Sequence, residues 1–230
     1  MKLIKNLADG ANIYVVYGEV GSGKTSLTLS HPGHKVVFSF DASYSSLQGH
    51  EDEVTVYEPE LSDYADADKF VKFIDEHTKE ADLVVFDNLS ALENSFVQGM
   101  TEGKIGNNTN GMAAYGAEQK FLHTLSSWAL HYKGDILFTL WSKNSKKGTD
   151  LYYIPDMNDK AFNMIAGFAK LLSRTQSGFG GFEVVVNPDS RSTIKNRLRG
   201  LTKSTVKNKD FWEAVAYANG DTRKADTKNA

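Results

Sequence analysis

Gly18-Glu19-Val20-Gly21-Ser22-Gly23-Lys24-Thr25 decides the reading of this 230-residue chain. The stretch fits G-x-x-x-x-G-K-[ST], a loop whose backbone N–H groups turn inward around a phosphate chain. Its glycines permit the tight turn. Lys24 has the reach to meet β- and γ-phosphates, and Thr25 carries a hydroxyl suited to Mg²⁺. The expected nucleotide cradle runs from Gly18 through Glu19, Val20, Gly21, Ser22, Gly23, Lys24 and Thr25 to Ser26. The flanks agree with it. Residues 13–17 (Ile-Tyr-Val-Val-Tyr) form an apolar, β-branched and aromatic run, as a buried strand requires. A helix is expected from Ser26 to the stop at Pro32-Gly33, with its positive N-terminal end aimed at the phosphates.

Outward from the loop, strands alternate with helices. A second strand is expected over 35–40, ending at Asp41, and a short third over 53–57. Residues 62–79 read as a helix capped by Ser62 or Asp63, with Phe70, Phe73, Ile74 and His77 at helical spacing. Residues 82–87 (Asp-Leu-Val-Val-Phe-Asp) read as a buried strand ending in an acid. Residues 112–132 read as a helix with Phe121, Leu122, Leu125 and Trp128 on one face, and 135–141 as a strand. This order predicts an α/β fold with a mostly parallel central sheet and helices on both faces. Ligands then sit at the carboxyl ends of the strands. Two polar segments, 98–111 and 142–158, break the alternation and read as irregular loops emerging on the nucleotide side. The expected division is an ATPase core over 1–205 and a C-terminal helix with a polar tail over 206–230.

Composition bounds the class. Hydrophobic residues make up 40% of the chain, ordinary for a single domain with a sizeable core. No apolar run approaches the roughly 18 residues of a membrane span. Residues 1–6 lack the apolar centre of a signal peptide, so a cytoplasmic protein is the expectation. The absence of cysteine excludes disulfides and thiolate metal sites. A net charge of −3 does not mark a nucleic-acid binder, but it is unevenly spread. Arg191, Lys195, Arg197, Arg199, Lys203, Lys207 and Lys209 precede Asp210 with no acid among them.

Nucleotide hydrolysis requires an acid on the metal shell, a group that positions water, and positive charge on the transferring phosphate. Asp87, after four apolar residues, fits the first role. Asp41, at the end of the strand after the phosphate loop, fits the second or a turn. Lys195-Asn196-Arg197 follows the apolar run at 183–186 (Glu-Val-Val-Val). Alternation would set Lys195 and Arg197 on one side, as a cationic clamp or an ordinary basic edge.

Taken together, the phosphate loop resembles that of archaeal and eukaryotic RecA-type recombinases. Residues 83–92 (Leu-Val-Val-Phe-Asp-Asn-Leu-Ser-Ala-Leu) resemble the Walker B strand of that family and the turn after it. Lys195-Asn196-Arg197 is similar to the Lys-Asn-Arg signature of RecA-like ATPases and ring helicases, in which both cations reach the nucleotide of the adjacent subunit. The compact size and Asp41-Ala42-Ser43-Tyr44-Ser45-Ser46-Leu47 resemble phage-encoded RecA-like P-loop proteins of the nucleotide-binding and single-strand annealing type. The resemblance spans roughly residues 10–202. It implies a RecA-like P-loop NTPase fold, ATP and Mg²⁺ as cofactors, Thr25 and Asp87 on the metal, and Lys24, Asp41, Asp87, Lys195 and Arg197 in catalysis. It further implies single-stranded DNA as partner, self-association into a ring or filament, a single-strand-binding protein nearby, and the host cytoplasm as location. Two features depart from the family. The Asp-x-Glu after the second strand is Asp41-Ala42-Ser43 here, and the glutamine of the sensor strand is replaced by Thr139-Leu140-Trp141-Ser142. Slow hydrolysis, or nucleotide binding as a structural switch, is the consequence expected.

Two functions follow. In the first, the chain is a DNA-dependent ATPase of phage recombination; Lys104, Lys143, Lys146 and Lys147 meet phosphates, and Tyr152 and Tyr153 stack on bases. In the second, it remodels proteins, as a helicase loader does, and needs no affinity for single strands. A small-molecule kinase ranks below both, because the sequence shows no arginine-rich lid.

Overall fold

Alternation along β1 (Asn12–Gly18) divides the molecule into two layers. Ile13, Val15 and Tyr17 enter one apolar core and Tyr14 and Val16 the other, as a strand buried on both faces requires. The computed structural model describes residues 11–106, 109–147 and 150–220. Among them one ten-stranded sheet forms. β1 lies between β7 (Leu171–Gly178) and β5 (Asp135–Lys147), parallel to both. Beyond β5 the sheet continues, still parallel, through β4 (Leu83–Asp87), β2 (Lys35–Ser39) and β3 (Val54–Tyr57). Beyond β7 it continues with β8 (Gly181–Val185) and β10 (Thr205–Lys207), each antiparallel to its neighbour. The α/β class with a mostly parallel sheet is as the sequence predicts.

Helices α1 (Ala67–His77), α2 (Leu89–Thr101), α3 (Gly111–Ala129) and α4 (Asp159–Ala166) pack on one face. α5 (Phe211–Ala218) and two 3₁₀ turns, Thr25–Ser30 and Tyr44–Leu47, cover the other. Trp212 of α5 donates its indole N–H to the Leu27 carbonyl (3.0 Å) and meets the Tyr14 ring edge-on at 5.1 Å. Between α2 and α3 two acids are buried together. Glu118 has no exposed surface and Glu93 only 8%.

Four expectations change. The helix after the phosphate loop is a six-residue 3₁₀ turn. Ser26, Thr28 and Ser30 are weak helix formers, and Ser26 and Ser30 hydrogen-bond back to the Gly23 and Leu27 carbonyls before Pro32 stops the chain. α1 starts five residues later than expected, because Asp66, not Ser62 or Asp63, caps it by accepting from the Lys69 N–H. The segment 98–111 is helical as far as Thr101, since α2 is nucleated by Asn88, which accepts from the Ala91 N–H (3.0 Å). Its apolar residues Leu89, Leu92, Phe96 and Met100 recur at helical spacing and are all buried. The segment 142–158 is mostly a hairpin: β5 runs past Trp141 to Lys147, and β6 (Asp150–Pro155) returns antiparallel. Tyr152-Tyr153-Ile154, good strand formers, give it its inner edge.

Candidate nucleotide-binding site

The phosphate loop leaves β1 at the carboxyl end of the sheet and is fixed from both sides. Ser22 Oγ and Thr175 Oγ1 share a hydrogen bond of 2.7 Å, which ties the loop to β7. Asn208 Nδ2 donates to the Gly23 carbonyl (2.8 Å). Gly18 admits no side chain, since a Cβ there would lie 2.1 Å from Thr175 Oγ1. Lys24 folds back over the loop and donates to the carbonyls of Gly18 (3.0 Å) and Glu19 (2.9 Å). Burial holds its ammonium below the ordinary lysine range, and the Asp87 and Asp41 charges partly offset this.

Asp87 ends β4 beside Thr25, whose hydroxyl donates to Oδ2 at 2.6 Å. Thr139 of the adjacent strand β5 donates to Oδ1. Burial pushes the Asp87 carboxyl up, and the two hydroxyls pull it back. Among the described residues no cation lies within ion-pair distance of Asp87, although it is almost completely buried. A carboxylate and a hydroxyl placed together are hard oxygen donors that suit Mg²⁺. No three His, Asp or Glu side chains converge among the described residues.

Asp41 faces the same cleft. Its Oδ2 accepts from Asn88 Nδ2 (3.1 Å), and its Oδ1 accepts from the Ser43 N–H (3.1 Å) and hydroxyl (2.5 Å). Asp41 makes an Asx turn and also lines the cleft. Ala42 sits in the left-handed region (φ 54°), a conformation costing about 1 kcal/mol, and thereby directs the chain away at this point. The cleft has a volume of about 280 Å³ and is lined by Val20, Gly21, Gly23, Lys24, Thr25 and Ser26 of the loop, by Asp41, Ser43 and Ser46 after β2, and by Asp87. Trp141 of β5 and Phe182 of β8 complete it. Of the remaining cradle residues, Gly18 and Glu19 hold the lysine and Ser22 anchors the loop.

Sequence reasoning missed Thr139, Asn88, Trp141 and Phe182 as site residues. The Thr-Leu-Trp run was visible only as a missing glutamine. A buried hydroxyl in an apolar strand one register from an acid was the available signal.

The other expected site residues lie elsewhere. Lys195 stands in β9 (Lys195–Asn196), which pairs with the beginning of β7, at the end of the sheet away from the phosphate loop. Its ammonium donates to the Ala166 (2.5 Å) and Gly167 (3.0 Å) carbonyls at the end of α4. Arg197 lines a separate open groove at that end, with Lys170 and Arg199. Neither reaches the phosphate loop of its own chain. Lys104, between α2 and α3, pairs with Glu102 (2.6 Å). Lys143 and Lys146 are exposed on the β5–β6 hairpin, and Lys143 pairs with Asp156 (3.2 Å). Lys147 closes β5, and its side chain lies outside the described residues. The Tyr153 ring is covered by the Arg174 guanidinium at 4.2 Å.

A parallel α/β sheet, a glycine loop after its central strand, and a Thr–Asp pair at the neighbouring strand ends define a P-loop NTPase domain. The sequence pattern of the AAA domain matches residues 11–198. The chain belongs to the AAA domain family and is an ATPase-type nucleotide-binding domain of it. No curated protein sequence matches it. Among solved structures it is similar to a crystal structure of a KaiC-like protein from the hyperthermophilic archaeon Pyrococcus horikoshii. The identity is 11%, the TM-score 0.47, and the match covers 80% of this chain and 83% of that one. No helix among the described residues is long and apolar enough to cross a membrane.

Proposed function

We propose that this chain is a Mg²⁺-dependent ATPase that couples ATP turnover to single-stranded DNA in phage-type recombination or annealing, assembling with ATP at subunit interfaces. Thr25 and Asp87 would hold the ion, which when bound neutralises phosphate charge. Lys24 exchanges the Gly18 and Glu19 carbonyls for phosphate oxygens. Thr139 keeps the Asp87 carboxylate pointed at the loop. Asp41 accepts a hydrogen bond from the attacking water and orients it. With a single short acid in place of Asp-x-Glu, turnover is slow.

The observation that carries the DNA reading is the continuity of β5. One strand bonds Asp87 through Thr139, walls the nucleotide cleft with Trp141, and extends into the hairpin that bears Lys143 and Lys146. A change at the phosphates is thereby passed along the strand to a basic arm. Arg197 and Lys195, remote from their own phosphate loop, are assigned to a neighbouring subunit's nucleotide. The protein-remodelling reading draws on one fact: Lys104 and Lys143 already have acidic partners, which weakens their pull on phosphates. The test is single-strand affinity with a non-hydrolysable ATP analogue, across a salt series. ATP-linked binding that weakens with salt, and weakens further when Lys143, Lys146 and Lys147 are changed to Ala, is expected. No ATP-linked binding at low salt refutes the DNA role and leaves protein remodelling.

A further inference from the structure

The triphosphate end of the cleft is fixed by Lys24, Thr25 and Asp87, and Asp87 lies on the β4 side of β1. From there the cleft extends to Ser43 and Ser46 after β2 on one side and to Phe182 of β8 on the other. On the β8 side stands Phe182. It lines the cleft, remains 40% exposed, and presses on the loop so closely that a Cβ at Gly23 would fall 2.6 Å from its ring. Gly23 has φ +89°, so the loop already requires glycine at the point where the ring crosses it. The hairpin carrying Phe182 is held in place by the Ser22–Thr175 hydrogen bond and by the Gly178–Gly181 pairing. Phe179, at its tip, is fully exposed. Of the loop residues that line the cleft, Val20, Gly21 and Gly23 carry no side-chain donor or acceptor, and Gly23 is the one against the ring.

We propose that Phe182 is the platform on which the nucleobase stacks, and that the site accepts nucleoside triphosphates with little preference between ATP and GTP. The inference rests on the nucleotide reading of the phosphate loop. Stacking uses the π-face that every base presents, so it adds affinity without reading base edges.

The experiment is calorimetric titration of the full chain with ATP, GTP and inorganic tripolyphosphate, each with Mg²⁺. Phe182→Ala should weaken ATP and GTP roughly 5- to 100-fold and leave tripolyphosphate unchanged. Phe182→Tyr should restore the natural affinity, which separates stacking from folding. ATP affinity undiminished in Phe182→Ala, or diminished equally in Phe182→Tyr, overturns the platform. A natural chain that binds ATP more than about 100-fold tighter than GTP overturns the lack of base preference. Tripolyphosphate binding unaffected by Lys24→Ala instead refutes the phosphate loop itself, and the platform with it.

Discussion

Changing Glu118 to Gln should make the protein's stability less sensitive to pH. Glu118 projects from α3 into the seam with α2, and neither of its oxygens has a hydrogen-bond partner of ordinary geometry. Its neighbour Glu93 accepts from the Asn158 N–H through both oxygens (2.9 and 3.0 Å). Burial, then the Glu93 charge, pushes the Glu118 carboxyl up to about 8. Burial also raises Glu93, with Asp156 adding to the effect and Lys143 opposing it. Between pH 4.5 and about 8 the folded chain therefore holds protons that the unfolded chain releases. Stability contributed by the pair is complete below the lower value, falls as pH rises, and is lost above the upper one. Each tenfold change in proton affinity is worth about 1.4 kcal/mol, so the loss across the window is at most about 5 kcal/mol. For a domain of this size that is a fall in Tm on the order of 10 °C. Glutamine keeps the shape, carries no titrating proton, and can donate to Glu93. Thermal unfolding followed by circular dichroism, from pH 5 to 8.5 at constant ionic strength, measures the difference between the two proteins. The advantage of Glu118→Gln should be near zero at pH 5 and several kcal/mol at pH 8.5. A difference that does not change with pH would refute the raised proton affinity of the buried Glu118.

Asp41→Asn should preserve ATP affinity and slow hydrolysis by about 10²-fold or more, as loss of a group that orients water does; steady-state turnover beside equilibrium binding decides it, and undiminished turnover reduces Asp41 to a turn residue. Lys24→Ala and Arg197→Ala should each be inactive alone and regain activity when mixed, because a mixed interface joins an intact phosphate loop to an intact arginine. Mixtures that assemble yet stay inactive would place Arg197 outside the reaction.

The phosphate loop was legible because its chemistry is local: the glycines, Lys24 and Thr25 are consecutive. Asp87 was legible because it ends a strongly apolar strand, and Asp41 because it follows one by two residues. What escaped depends on contacts between distant segments. Thr139 matters only because β5 lies next to β4, and Phe182 only because β8 folds over Gly23. The β5–β6 hairpin was hidden by its Lys, Ser and Asn content, which resembles a loop, and its pairing with Tyr-rich β6 is what makes it a strand. The start of α2 was obscured because Asn88, its cap, follows directly on the buried strand. Lys195-Asn196-Arg197 was recognisable as a pattern, but its seat at the far end of the sheet follows from β9 pairing with β7.

The contact between Trp212 and the turn after the phosphate loop bears on the order in which the protein matures during synthesis. The indole bonds Leu27 across 185 positions of sequence. At roughly 5–20 residues per second, ribosomes make the loop about 10–40 s before the helix that supports it. The share of cover that Trp212 gives Leu27 and Tyr14 is missing through that interval, and the turn after the phosphate loop gains it only after α5 has emerged. A chain released early keeps the whole phosphate-loop sequence but lacks the Trp212 contact beneath the turn that follows it.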